Sequence, residues 1–89
     1  MIKIKNKVFE LVKDYRDAFS EQLFKEKYLE SFDKYDVIVG DMSSNILRLK
    51  GFTSRKSDSP FYVNKIPDYL NESCNYNCPY FIVKRVKNV

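Results

Sequence analysis

Tyr35-Asp36-Val37-Ile38-Val39-Gly40-Asp41-Met42-Ser43-Ser44-Asn45-Ile46-Leu47-Arg48-Leu49-Lys50-Gly51-Phe52 carries the clearest structural signal in the chain. Val37, Ile38 and Val39 are consecutive and β-branched, which suits a strand buried on both faces. Gly40, Asp41, Ser43, Ser44 and Asn45 carry turn chemistry: small side chains, or polar ones that bond their own backbone. From Ile46 to Lys50 apolar and charged residues alternate, the period of a half-buried strand. The stretch therefore predicts a β-hairpin. Gly51 interrupts its second strand, where a bulge or a close backbone approach is expected.

Working outward towards the N-terminus, the strongest helix signal covers Ser20 to Asp33. Ser20 is a good N-cap, able to accept an orphan N–H of the first turn. Phe19 and Phe24 have the spacing of a hydrophobic staple. Phe24, Tyr28 and Phe32 recur four residues apart with Leu23 and Leu29 beside them, which makes one apolar stripe. Before it, Asp14-Tyr15-Arg16-Asp17-Ala18-Phe19 joins strand to helix. Two readings are open for that loop. It is a plain connection in which Arg16 pairs with a neighbouring carboxylate, or a functional loop presenting Asp14, Arg16 and Asp17. Ile2 to Val12 alternates and reads as a short N-terminal hairpin turning at Asn6-Lys7.

Towards the C-terminus, Thr53 to Pro60 holds four hydroxyl side chains with Arg55 and Lys56 and closes on Pro60, the clearest flexible loop. Phe61 to Asn64 suits a short strand. Ile66 to Ser73 suits a short helix, with Pro67 tolerated in its first turn. Tyr80 to Val86 is a strong last strand. The expected fold is α+β: a small, mostly antiparallel sheet with one main helix packed on one face and a short second helix.

Composition narrows the chemistry. The 89 residues suit a single domain, 1–89. Net charge is +4 and uneven. Residues 1–44 hold eight Lys/Arg against nine Asp/Glu, and residues 45–89 eight against three. A basic C-terminal half points to an anionic partner such as RNA or an acidic protein surface. No secretory signal is visible, and no segment approaches the ~18 apolar residues of a membrane span, so a cytoplasmic location is expected, with Cys74 and Cys78 reduced.

There is no His. That removes the commonest general base, the Ser-His-Asp arrangement and most zinc sites. No Gly-rich phosphate loop is present. No cofactor or metal is implied, and Cys74 and Cys78, with three residues between them around a turn, are half a metal site at most. The remaining enzyme hypothesis is a Mg²⁺-dependent phosphodiester hydrolase in which Asp14 or Asp17 joins Asp41. The favoured reading is non-enzymatic: a binding module for RNA or a ribonucleoprotein. Its basic surface is Arg48, Lys50, Arg55, Lys56, Lys84 and Arg85, with Tyr62 and Tyr76 to stack on bases. Lys84 and Arg85 are adjacent, so they leave a strand on opposite faces. The same pattern also describes a solvated sheet face guarding an edge with charge. The alternative function is a protein-interaction adaptor using Phe52, Tyr62 and Tyr76 around the loop.

The blocks themselves resemble a known family. Tyr35-Asp36-Val37-Ile38-Val39-Gly40-Asp41, followed by Leu47-Arg48-Leu49-Lys50-Gly51-Phe52, is similar to the core signature of the YutD-like proteins, small proteins of low-GC Gram-positive bacteria and their relatives. Asp14 to Phe19 resembles the family's charged loop, and Cys74 to Phe81 its C-terminal block. Met42 departs from the pattern, standing where an aromatic residue is expected. The chain also stops soon after the last strand, without the polar extension of some relatives. The resemblance implies an α+β domain in a bacterial cytosol and no particular reaction.

Overall fold

The computed structural model describes residues 2–4, 7–43, 46–73 and 78–86. Its frame is a five-stranded sheet made of β1 (Ile2–Ile4), β2 (Lys7–Tyr15), β3 (Val37–Ser43), β4 (Ile46–Phe52) and β5 (Tyr80–Val86). Every pairing is antiparallel and the order is β1-β2-β5-β3-β4. The last strand thus inserts between β2 and β3. Two short helices, α1 (Glu21–Lys27) and α2 (Ile66–Ser73), and two 3-10 helices, Glu30–Lys34 and Val63–Lys65, complete it.

The expected hairpin is β3 and β4, with Val37 opposite Phe52 and Ser43 opposite Ile46. Its arms are longer than local chemistry suggests. Gly40 and Asp41 lie inside β3 rather than in a turn, each paired on both sides: Gly40 with Leu49 and Phe81, Asp41 with Arg48 and Tyr80. A β-carbon on Gly40 would collide with the Phe81 ring, so the glycine is there to admit that ring. β2 likewise runs on to Tyr15, with a bulge between Leu11 and Lys13. Phe61–Asn64 is not a strand: Tyr62 makes only a parallel bridge to Thr53 before the 3-10 helix begins.

The α+β layout with one main helix on a face is overturned. No main helix spans Ser20–Asp33. α1 is only seven residues, the chain is extended at Tyr28 and Leu29, and a five-residue 3-10 helix follows. The protein is mostly antiparallel sheet. The helix stops because Tyr28 is wanted elsewhere: its ring meets Phe9 at 5.8 Å while its hydroxyl donates to Asp33 at 2.7 Å. The N-terminal signals do operate. The Ser20 hydroxyl accepts the Leu23 N–H at 3.4 Å, and Phe19 and Phe24 approach to 6.0 Å. A helix this short is marginal alone. Phe24 anchors it, fully buried and edge-on to Phe9 (5.7 Å) and Phe81 (5.9 Å).

Both faces of β3 are covered. Ile38 joins Phe9, Phe24, Leu47, Phe81 and Val83 in the larger cluster. Val37, Val39 and Phe52 form a second one, against which Val63, Ile66, Tyr69 and Leu70 pack. α2 therefore lies on the sheet face opposite Phe24. Among the described residues, no helix is long and apolar enough to cross a membrane.

Candidate functional site

The alternation in β4 sorts its side chains as expected: Leu47 and Leu49 join the cluster around Phe24, and Arg48 and Lys50 leave on the other face. That other face is partly covered by α2, and Arg48 keeps about half of its side chain exposed while pairing across it. Arg48 stands directly across from Asp41, and its Nη2 donates to Asp41 Oδ2 at 2.7 Å. The Tyr69 hydroxyl, from α2, donates to the other oxygen at 2.8 Å. Asp41 is fully buried, so both partners are needed to offset its desolvation. Burial first, and the bond to Asp41 next, push the Tyr69 hydroxyl well above the ordinary tyrosine range.

Lys84 sits across from Val37 and is exposed on this same side of the sheet. Arg85 lies on the opposite side. Its Nη2 donates to the Asp33 carbonyl at 2.8 Å and its guanidinium lies 5.8 Å from the Phe9 ring centre. Nearby, burial and then Asp33 push the Tyr28 hydroxyl up to about 12. The reciprocal bond from Tyr28, assisted by Lys7 at 3.2 Å, holds the Asp33 carboxyl below its usual value.

The charged loop takes its own shape. Arg16 and Asp17 have left-handed backbones, at φ 61° and 53°. Asp14 Oδ1 accepts the Phe19 N–H at 3.1 Å, and the Arg16 guanidinium lies over the Tyr15 ring at 5.6 Å. Asp14 pairs with Phe81 and Asp41 with Tyr80, adjacent positions of β5. The two carboxylates therefore leave opposite faces of the sheet. Among the described residues, no group of three or more His, Cys, Asp or Glu is placed to hold a metal ion. Of the two pairings open to the hydrolase reading, Asp14 with Asp41 or Asp17 with Asp41, the sheet separates the first.

Cys78 is disulfide-bonded, not the reduced thiol expected. The chain has two Cys, so close in sequence that the chain entropy of closing them is small. Cys74 and Tyr76 lie outside the described residues. Phe52 is buried under α2, so it is not a contact residue, and Tyr62 is half-buried beside Thr53.

What the structure does assemble is a cleft of about 550 Å³ lined by Lys34, Tyr35, Thr53, Arg55, Lys56, Ser59 and Phe61. The hydroxyl-rich loop forms its wall, and it is built rather than slack. Buried Asp36 pins its start, accepting the Ser54 N–H at 2.9 Å on one oxygen and the Ser54 hydroxyl on the other. Burial works against ionisation of Asp36. The two Ser54 bonds, with Arg55 adding to them, outweigh it and hold the carboxyl below its usual value. The Ser59 hydroxyl accepts the Phe61 N–H at 3.0 Å. Thr53 N–H donates to Phe61 O at 2.8 Å and Val63 N–H to Thr53 O at 3.0 Å, so the ends of the loop meet.

Two rings make the cleft's floor. Tyr35 and Phe61 meet edge to face at 5.8 Å and 71°. Lys34 Nζ lies 5.3 Å from the Tyr35 ring centre and Lys50 Nζ 4.7 Å from that of Phe61. Tyr35 rests on Gly51, where a β-carbon would enter the ring. Of the proposed basic residues, Arg55, Lys56 and Lys50 gather here, and Arg48 and Arg85 are held elsewhere. Lys34, Tyr35 and Phe61 were not singled out from sequence. Their one sequence signal was Gly51, a glycine in a strand interior that asks what approaches it.

The chain is similar to known proteins over nearly its whole length. A family model described as "Putative antitoxin YutD-like" matches residues 3–84. A Bacillus subtilis (strain 168) protein called "Putative antitoxin YutD" is 42% identical over 90 residues, which is 98% of this chain and 99% of that one. The solution NMR structure of protein yutD from B. subtilis superposes with a TM-score of 0.85 at 40% identity, covering 100% of this chain and 84% of that one.

Proposed function

We propose, from the premise that the chain belongs to the YutD-like family, that it is a non-enzymatic protein-interaction module capturing a protein partner at the loop cleft. Residues 1–89 act as one domain, and a cytoplasmic location goes with this reading. The name of the B. subtilis relative supports a protein partner, because an antitoxin directed at a protein acts by covering it. The observation that carries the reading is the cleft itself: cations held at the rim of an aromatic floor by a loop whose hydrogen bonds fix its shape. Such a concave, partly apolar site with a few polar groups is the usual form of a recognition site.

An RNA or ribonucleoprotein surface competes for the same residues. It is the weaker reading because Arg48 and Arg85 are engaged by Asp41 and Asp33, and α2 takes up part of the sheet face that Arg48 and Lys50 share. Crosslinked capture of the tagged full chain from the cell that encodes it, with and without RNase, separates the two. The same protein recovered in both arms, and at least tenfold less of it with Arg55→Glu/Lys56→Glu, is the expected result. Capture abolished by RNase overturns the reading.

A further inference from the structure

We infer, resting on the protein-partner reading, that the cleft recognises an acidic peptide segment anchored by one aromatic or aliphatic side chain. Lys34, Arg55 and Lys56 are exposed, and among the described residues none has a carboxylate within ion-pair distance. The one buried carboxylate at the wall, Asp36, is already satisfied by Ser54. Arg55 feels the Asp36 charge without pairing with it, so the rim is a set of cations with no ion pair among the described residues, and carboxylates of a partner are their complement.

The floor decides between an acidic peptide and a nucleic acid. Bases bind aromatic residues by stacking on an open π-face. Here an ammonium already sits over each ring, Lys34 over Tyr35 and Lys50 over Phe61, and the rings stand at 71° to each other. Set edge to face, the two rings do not form a flat platform for successive bases, and the angle between them makes a notch. A side chain of the partner enters the notch, while its flanking carboxylates meet ammonium groups that the rings hold in place. A volume of about 550 Å³ suits one or two side chains.

The test titrates the isotope-labelled full chain, watched by NMR, with four probes: a capped Glu-Asp-Phe-Glu-Asp peptide, its Gln-Asn-Phe-Gln-Asn counterpart, a capped Glu-Asp-Gly-Glu-Asp peptide and a hexauridylate RNA. The acidic Phe peptide is expected to shift the Tyr35 and Phe61 rings and the Arg55 and Lys56 amides. It is expected to bind at least tenfold more tightly than the uncharged peptide and at least threefold more tightly than the Gly peptide. Arg55→Ala/Lys56→Ala, two exposed changes that leave the spectrum folded, lowers its affinity at least fivefold. Equal affinity for charged and uncharged peptides overturns the inference. So does tighter binding of the RNA at the same residues, or concentration-dependent shifts there without any probe, which would mark a second copy as the occupant. If the cellular capture succeeds while the peptide series fails, this inference falls and the protein-partner reading stands.

Discussion

Gly51→Ala places one methyl group against the floor of the cleft and gives the sharpest check of its geometry. The new β-carbon would meet Cδ2, Cγ and Cε2 of Tyr35, all well inside van der Waals contact. Gly51 does not have a positive φ, so the backbone itself accepts alanine. The collision is with a ring face rather than the end of a flexible chain, so Tyr35 must swing and lose its contact with Phe61. Overpacking of this kind costs about 1–3 kcal/mol. In a chain this size that is a fall in Tm of roughly 4–8 °C per kcal/mol. With the ring removed, the sign changes: alanine in a strand is favoured over glycine by about 0.5–1 kcal/mol. A double-mutant cycle on Gly51→Ala and Tyr35→Ala, read by urea unfolding, is therefore expected to return a coupling of about 2 kcal/mol or more. Gly51→Ala should also abolish binding of the acidic Phe peptide. A Gly51→Ala cost that is the same with and without the Tyr35 ring refutes the contact and with it the floor of the site.

Other expectations follow from the packing and the charges. Phe24→Ala removes the side chain that fastens α1 between Phe9 and Phe81, and should cost about 3–5 kcal/mol by urea unfolding, most of the stability of a small domain. Tyr69→Phe removes one of the two hydrogen bonds that the described residues give the buried Asp41 carboxylate, and should cost about 1.5–3 kcal/mol in the same assay. Asp36 has a lowered pKa in the folded protein, so its contribution is present above the unfolded value of about 3.9 and is lost as pH falls through the lower folded one. Urea midpoints should drop from about pH 4 downward. Ser54→Ala, which deletes one of the two bonds responsible, should flatten that acid limb.

Local sequence carried the hairpin well and its limits badly. Three β-branched residues and the Leu47-Arg48-Leu49-Lys50 alternation identify the strands and sort their faces correctly. Gly40 and Asp41 look like turn residues because their reasons for being in β3 are distant: the Phe81 ring fills the space a side chain would need, and Arg48 and Tyr69 neutralise the carboxylate. The spacing of Phe24, Tyr28 and Phe32 is equally compatible with one helix and with a short helix, an extended link and a 3-10 helix. Only the Tyr28–Asp33 bond and the Phe9 contact choose between them. The loop's Ser and Thr residues suggest flexibility by composition, yet Thr53 and Ser59 each accept a local hydrogen bond and Ser54 is tied to the distant Asp36, and together these shape it. The cleft was legible only in fragments. Arg55 and Lys56 stand out as cations, whereas Tyr35 and Phe61 meet through tertiary packing that no spacing announces. The sheet face proposed for RNA is shared with α2, which packs on Val37, Val39 and Phe52 and brings Tyr69 to Asp41, a placement that nothing local to β4 encodes.

On the proposed reading the cleft holds a protein. A photo-crosslinking amino acid installed at Lys56 in the full chain, and in a separate strain at Val12 on the exposed bulge of β2, tests it in living cells. The claim predicts an RNase-resistant protein adduct from position 56 that is absent from position 12. An adduct from position 56 that RNase removes, or one formed only from position 12, contradicts it.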